Sequence, residues 1–256
     1  MSFTVEYLEY ILLVFVRISL IVAIAPFFGN TNIPRKVKAA ISFFIAIIVI
    51  NTVDYTSVSY TGAVGYGILV LKEAITGALI GTGSGICIYI LNFSGHMIDM
   101  EIGFAMAQEM DPLTNVNSTL TSNFFTCIFM LMFMVSDMHY YVLDAIFDSY
   151  KMIPIGGAKI DGGILSIMVK YITDYFVIGF RIILPIFSCI LVINIVLGIL
   201  AKVAPQINMF VVGMQLKLLV GLTILFFVLS MLSGVVDFIF REMQTITNQL
   251  IQVMSS

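Results

Sequence analysis

RIILPIFSCILVINIVLGILAKVAPQINMFVVGMQLKLLVGL, Arg181 to Leu222, is two apolar runs separated by a short polar break. The break, LAKVAPQINMF, gathers Lys202, Pro205, Gln206 and Asn208 within a few residues. Proline fixes one backbone angle and the amide side chains bond locally, so this composition makes a turn rather than a continuing helix. The two runs therefore read as an antiparallel helical hairpin. Extended outward they cover about 165–200 and about 209–240, against roughly 20 apolar residues needed for one membrane span. Both are long enough to tilt, bend or reach past the hydrocarbon. Pro185 removes one helical hydrogen bond, so a kink is expected near it.

The rest of the chain carries the same signal. Further apolar stretches lie at about 7–28, 37–53, 64–93, 120–136 and 139–153 by the same apolar-run criterion. The last two read as two short helices or as one hairpin, broken at SDMH, Ser136 to His139. None shows the two-residue alternation of a membrane barrel. The expectation is an all-α protein of the integral-membrane type, with helical hairpins, a proline-kinked long helix and roughly six helical passes.

Composition agrees. Of 256 residues, 60% are hydrophobic and 11% charged, and mean hydropathy is +1.08. Soluble domains carry roughly 25% charged residues, so there is too little polar surface here for a water-soluble globule. Met1 to Glu9 holds two acids and no base ahead of the first apolar run, which does not fit a signal-peptide start. A net charge of -3 offers nothing to nucleic acid. Cys87, Cys127 and Cys189 stand alone in apolar runs, without the spacing of a disulfide framework or a metal site.

Several charges sit where lipid would reject them. Arg17, Lys72, Glu73, Lys170, Asp174, Arg181 and Lys217 lie within or beside apolar runs. Such charges either pair near a helix end, as Lys170 and Asp174 could at i,i+4, or face protein or water. GALIGTGSG places Gly77, Gly81 and Gly85 four apart on one helical face. The spacing is wrong for a nucleotide loop and right for close approach of two helices. Arg35, Lys36 and Lys38 form the densest basic cluster, which the positive-inside tendency places in the cytoplasm. Whether Lys202 lies on that side depends on whether 139–153 crosses or turns back.

Catalytic signatures are missing. SGHMID brings Ser94, His96 and Asp99 together in sequence, but a triad is defined by geometry rather than proximity. No Walker motif occurs, and no cofactor is implied. A membrane enzyme is disfavoured on these grounds. A small-molecule transporter would suit the buried charges and the broken helix, but no inverted repeat relates the two halves.

One stretch suits neither lipid nor a regular helix: GFAMAQEMDP, Gly103 to Pro112, continued by LTNVN. Gly103 relaxes the backbone, and Pro112 discourages helix at Asp111. Thr114 to Ser118 is polar. Irregular backbone at membrane depth is tolerated only when buried in protein or lining water. Met106 and Met110 are flexible and polarizable, able to seal an uneven opening and still be displaced. Asp99, Glu101, Glu109 and Asp111 would keep the surroundings hydrated. Gly103, Phe104, Met106, Gln108, Glu109, Met110, Asp111, Pro112 and Asn115 are thus candidate gating residues; the alternative is an exposed connecting loop.

RISLIVAIAPFFGNTNIPRKVKAAIS, GHMIDMEIGFAMAQEMDP, IPIGG and the hairpin sequence, in this order and spacing, resemble the FliR/SctT family of type III export-gate proteins over essentially the whole chain. The wording of GFAMA and KVAPQINMFVVG is more similar to the flagellar branch than to SctT of the virulence injectisome, which is built on the same plan. The resemblance implies a single-copy subunit completing a pore with FliP and FliQ, in the bacterial cell membrane and the flagellar basal body. It implies a FliP-like part at 1–164, with a plug loop at about 103–118, and a FliQ-like hairpin at 165–256. In the family the corresponding loop lies in the closed pore. The resemblance also implies FlhB and FlhA as neighbours, exported flagellar proteins as passengers, and docking through Arg35, Lys36, Lys38, Lys202 and Pro205. Gly77, Gly81, Gly85 and Pro185 are the expected packing positions.

Overall fold

The computed structural model describes residues 5–30, 33–53, 60–104, 119–206 and 208–255. Among them are seven helices and no strand: α1 (Val5–Ile24), α2 (Arg35–Thr52), α3 (Gly62–Ile102), α4 (Leu120–Val135), α5 (Met138–Met152), α6 (Gly162–Val203) and α7 (Met209–Ser255). At 1.5 Å rise per residue, α3, α6 and α7 are each about 60–70 Å long, twice the roughly 30 Å hydrocarbon core.

Four helices, α1, α3, α6 and α7, are long and apolar enough to cross a membrane, or five spans if α4 and α5 together make one. This corrects the expectation of six passes. α2 carries Arg35, Lys36 and Lys38 in its first turn, which leaves too short an apolar run. α4 and α5 are two short helices bent by 72°. Asp137 sits between them with φ 57, a left-handed conformation that ends the first helix.

The chain forms two compact units, and α3, α6 and α7 each contribute residues to both. The first comprises residues 1–87, 133–172 and 240–256. Its core follows helical periodicity: Tyr10, Leu13, Val14, Ile18, Ile21 and Val22 form one buried stripe on α1, with Arg17 in its middle. α1 packs on the glycine face of α3. A Cβ added to Gly77 would overlap the Arg17 carbonyl oxygen, and one added to Gly81 would lie 3.0 Å from Ile24 Cβ. Gly85 is also buried. The surface that meets Gly77 and Gly81 is therefore this chain's own α1, and no second protein is needed to cover them. Gly81→Leu should force the two helices apart at a cost of about 1–3 kcal/mol, seen as a clear drop in folded yield from detergent. Normal yield and normal motility would show that this contact is dispensable.

At the start of α3, the Tyr60 hydroxyl donates to the Glu9 side chain and Tyr66 donates to the Glu9 carbonyl at 3.3 Å. Beside that carboxylate the Tyr60 hydroxyl is pushed up to about 12. The far end of α7 packs in the same unit: Lys159 N–H donates to Met254 O at 3.1 Å, and a Cβ on Gly163 would lie 2.9 Å from Val253.

The second unit comprises residues 88–132 and 173–239. Here the expected turn is present. α6 continues through Pro185 to Val203, and Asn208 caps α7 through its side-chain oxygen on Phe210 N–H at 3.2 Å. Gly213 meets Leu197 across the turn, 3.0 Å from a built Cβ. Its first helix, α6, begins at Gly162. Its outer faces stay apolar and exposed, with Leu191, Val192, Ile195 and Ile199 on α6 and Phe210, Phe226, Phe227 and Met231 on α7. Contiguous apolar surface of this extent belongs against lipid or other protein.

Candidate functional site

In the second unit, the last turns of α3 lead to Gly103, where the stretch GFAMAQEMDP begins. Gly103 follows α3 with φ +100, a left-handed conformation that glycine adopts without strain, and its N–H bonds Asp99 O at 3.0 Å. This is the standard chemistry of a helix stop. Phe104 follows, half-buried. Met106, Gln108, Glu109, Met110, Asp111, Pro112 and Asn115 lie outside the described residues. The chain is described again at Thr119, immediately before α4.

Both ends of that segment are held. Asp99 is fully buried and accepts from the Thr121 hydroxyl and, at 2.9 Å, from the Thr121 N–H. It thereby caps the first turn of α4, where the helix dipole favours an anion. Two turns back on α3, Asn92 Oδ1 accepts from Ser122 at 2.7 Å and Thr126 at 3.2 Å. A Cβ on Gly95 would overlap the main chain of Ser122, so α3 and α4 touch backbone to backbone. The two feet, Gly103 and Thr119, are each within a few residues of the Asp99–Thr121 contact.

The other helices of this unit grip α3 in the same way. A Cβ on Gly179 of α6 would lie 2.6 Å from Phe93, and one on Gly221 of α7 would lie 2.6 Å from Ile102. Phe93 stacks edge-on with Phe176 and Phe180, and Ser94 donates to Gly179 O at 3.2 Å. Gly95, Gly179 and Gly221 were not singled out from sequence. Their signal was present, since an isolated glycine inside an apolar helix marks close approach.

Asp99 is corrected by this geometry. It was expected to hydrate the segment, but it is dry and committed to α4. The sequence neighbours Ser94, His96 and Asp99 do not form a triad: Ser94 and Asp99 are buried in separate main-chain contacts, and His96 is exposed. Among the described residues, no three His, Cys, Asp or Glu side chains converge as a metal site would require.

The first unit holds a second polar centre. Arg17 and Glu73 are both fully buried and joined side-on, Nε to Oε2 at 2.6 Å and Nη2 to Oε1 at 3.1 Å. Arg17 Nη1 also donates to Ser149 O at 3.2 Å and Ile153 O at 3.0 Å. Glu73 Oε1 accepts from Gly156 N–H at 2.8 Å, and Gly156 has φ 74. The guanidinium lies 4.3 Å from the Tyr150 ring centre, and Tyr150 donates to Val14 O at 2.9 Å. This clasp ties α1, α3, the end of α5 and the IPIGG turn. The bidentate fork explains why arginine rather than lysine occupies position 17.

The other expected residues are dispersed. Arg35 and Lys36 are exposed at the start of α2. Lys38 turns back, its ammonium donating to Gly29 O at 2.8 Å. Lys202 and Pro205 are exposed at the α6–α7 turn, and Pro185 is exposed within α6.

The long apolar helices define a multi-pass helical membrane protein. The model of bacterial export proteins, family 1, matches residues 8–243, and the chain belongs to that family. Similar relatives are each named flagellar biosynthetic protein FliR. The one from Bacillus subtilis (strain 168) is 31% identical over 243 residues, 93% of either chain. The one from Aquifex aeolicus (strain VF5) is 25% identical over 252 residues, 98% of this chain and 97% of its own. That of Escherichia coli (strain K12) is 21% identical over 226 residues, 88% and 86%. The family is that of the FliR export proteins of the bacterial flagellum.

Proposed function

We propose that this chain is a non-enzymatic subunit of the flagellar protein-export gate. In this reading it completes a pore with FliP and FliQ in the bacterial cell membrane, through which unfolded flagellar proteins pass. Residues 103–118 are the closing element, residues 1–164 the FliP-like part and 165–256 the FliQ-like hairpin. The observation that carries the reading is the anchoring of both feet of the segment, Gly103 and Thr119, on a dry Asp99–Thr121 contact. A plug must yield at its tip without shifting at its base, and three glycine contacts fix α3 at that base. The exposed apolar faces of α6 and α7 supply the surface that neighbouring subunits would cover. Lys202 and Pro205 at the α6–α7 turn are the candidate contacts for FlhB, and FlhA completes the set of partners.

Native mass spectrometry of the gate, purified in mild detergent with a photo-crosslinker at position 202, tests the reading. The expected result is one copy of this chain in a larger hetero-oligomer that contains FliP and FliQ, with FlhB adducts from the crosslinker. A monomer or homodimer as the sole species would refute gate membership; a complex without FlhB adducts would refute docking at the turn.

A further inference from the structure

In the first unit, α1 and α2 lie side by side and leave a groove open to the outside. It is lined by Ile11, Leu12 and Phe15 from α1 and by Phe43, Ile47 and Ile50 from α2, all apolar. Leu12, Phe43 and Ile47 are exposed. The α2 wall continues to a charged end. Lys36, Phe43, Ile47 and Ile50 are spaced 7, 11 and 14 residues along the helix, which keeps them on one face. Between Lys36 and Phe43 that face carries only Ala39 and Ala40, both exposed, so no large side chain of α2 stands between the bases and the groove. From Lys36 to Ile50 is about 21 Å by helical rise, enough to run from an interface through the roughly 15 Å of one leaflet.

The charged end is open as well. Arg35 and Lys36 are exposed, and neither joins an ion pair among the described residues. Lys38, which could have crowded them, is held on Gly29 O. α2 is preceded by Pro34 with no side-chain cap, so the first N–H groups of the helix face the same end, where the dipole favours an anion. An occupant complementary to this surface has an anionic head and an aliphatic tail on one molecule. A protein helix would match the apolar part but would need an acid placed at the two bases.

We propose that the α1–α2 groove binds an anionic phospholipid, with its phosphate at Arg35 and Lys36 and an acyl chain along Phe43, Ile47 and Ile50. The groove then serves as a fixed lipid seat at the edge of the protein rather than as generic bilayer contact. Basic side chains beside membrane helices recognise anionic headgroups through the same electrostatics.

The full chain, purified in mild detergent and incubated with equal amounts of phosphatidylglycerol and phosphatidylcholine, tests this by native mass spectrometry of retained lipid. Wild type should retain phosphatidylglycerol in preference. Arg35→Ala and Lys36→Ala should each lower that retention about fivefold, on the scale of one base near an anionic surface. Ala40→Trp keeps both bases and fills the channel between head and tail, and should reduce retention of phosphatidylglycerol to the level of phosphatidylcholine. No preference in wild type, or a preference unchanged in both the double Arg35→Ala/Lys36→Ala variant and Ala40→Trp, would overturn the proposal. Crosslinking from position 40 to another subunit throughout the assembled gate would overturn it too, by placing protein in the groove.

Discussion

Arg17→Leu should abolish accumulation of folded protein. The substitution leaves Glu73 buried with one N–H donor, from Gly156, in place of three, and strips the carbonyls of Ser149 and Ile153 of their shared donor. Removing one partner of a buried pair costs about 3–5 kcal/mol, a large share of the roughly 5–15 kcal/mol that holds a domain folded. Arg17→Lys should restore little, because one ammonium cannot reproduce the fork that reaches the carboxylate and two carbonyls together. Arg17→Leu/Glu73→Leu should recover part of the loss, since removing both charges also removes the unpaired one. Folded yield and thermal unfolding in detergent measure all three. Near-normal yield of Arg17→Leu would mean that the clasp does not organise the first unit.

Gly95→Val should abolish motility, whereas Gly234→Val should not. The first side chain would occupy the space of the Ser122 main chain, and the second meets nothing within 4 Å. Both place a β-branched residue in a helix, so the helix-propensity change is shared and the contact differs. Main chain cannot rotate out of the way as a side chain can, so α4 must move off α3. That motion breaks the capping of Thr121 by Asp99, worth about 0.5–2 kcal/mol alone, and adds an overpacking cost of about 1–3 kcal/mol. The base of the segment proposed to close the pore then has no fixed position. Swarming in soft agar reads the outcome, and equal behaviour of the two variants would contradict the role given to this contact.

The hairpin was legible because its signals are local. Pro205, Gln206 and Asn208 stop one apolar run and start another within a few residues, and backbone chemistry decides the turn there. Gly77 and Gly81 were legible for a similar reason, since four-residue spacing reports a helix face, although their partner proved to be α1 of the same chain. The clasp was not. Arg17 and Glu73 each stood out as charges in apolar runs, but they are 56 residues apart, and no periodicity links a residue on one helix to its mate on another. Asp99 was misjudged for the same reason: it stands close in sequence to the acids Glu101, Glu109 and Asp111, and the residue that desolvates it arrives from α4. The count of passes failed at α2, whose apolar run is real but whose first turn holds three bases. The break at Asp137, where one left-handed residue separates two short helices, falls at the SDMH break read from sequence. The gating role proposed for Met106 to Pro112 rests on their residue types and on the contacts of Gly103 and Thr121 at either side.

Deletion of Met106–Pro112 in the overproduced gate is the most direct test of the central claim, that residues 103–118 close a pore. Solute entry across the membrane and assembly with FliP and FliQ are measured on the same cells. With Asp99, Gly95 and the helices of both units untouched, assembly should proceed at the wild-type level while small-solute entry rises well above it. A deletion gate that assembles fully and stays as tight as wild type would contradict the account.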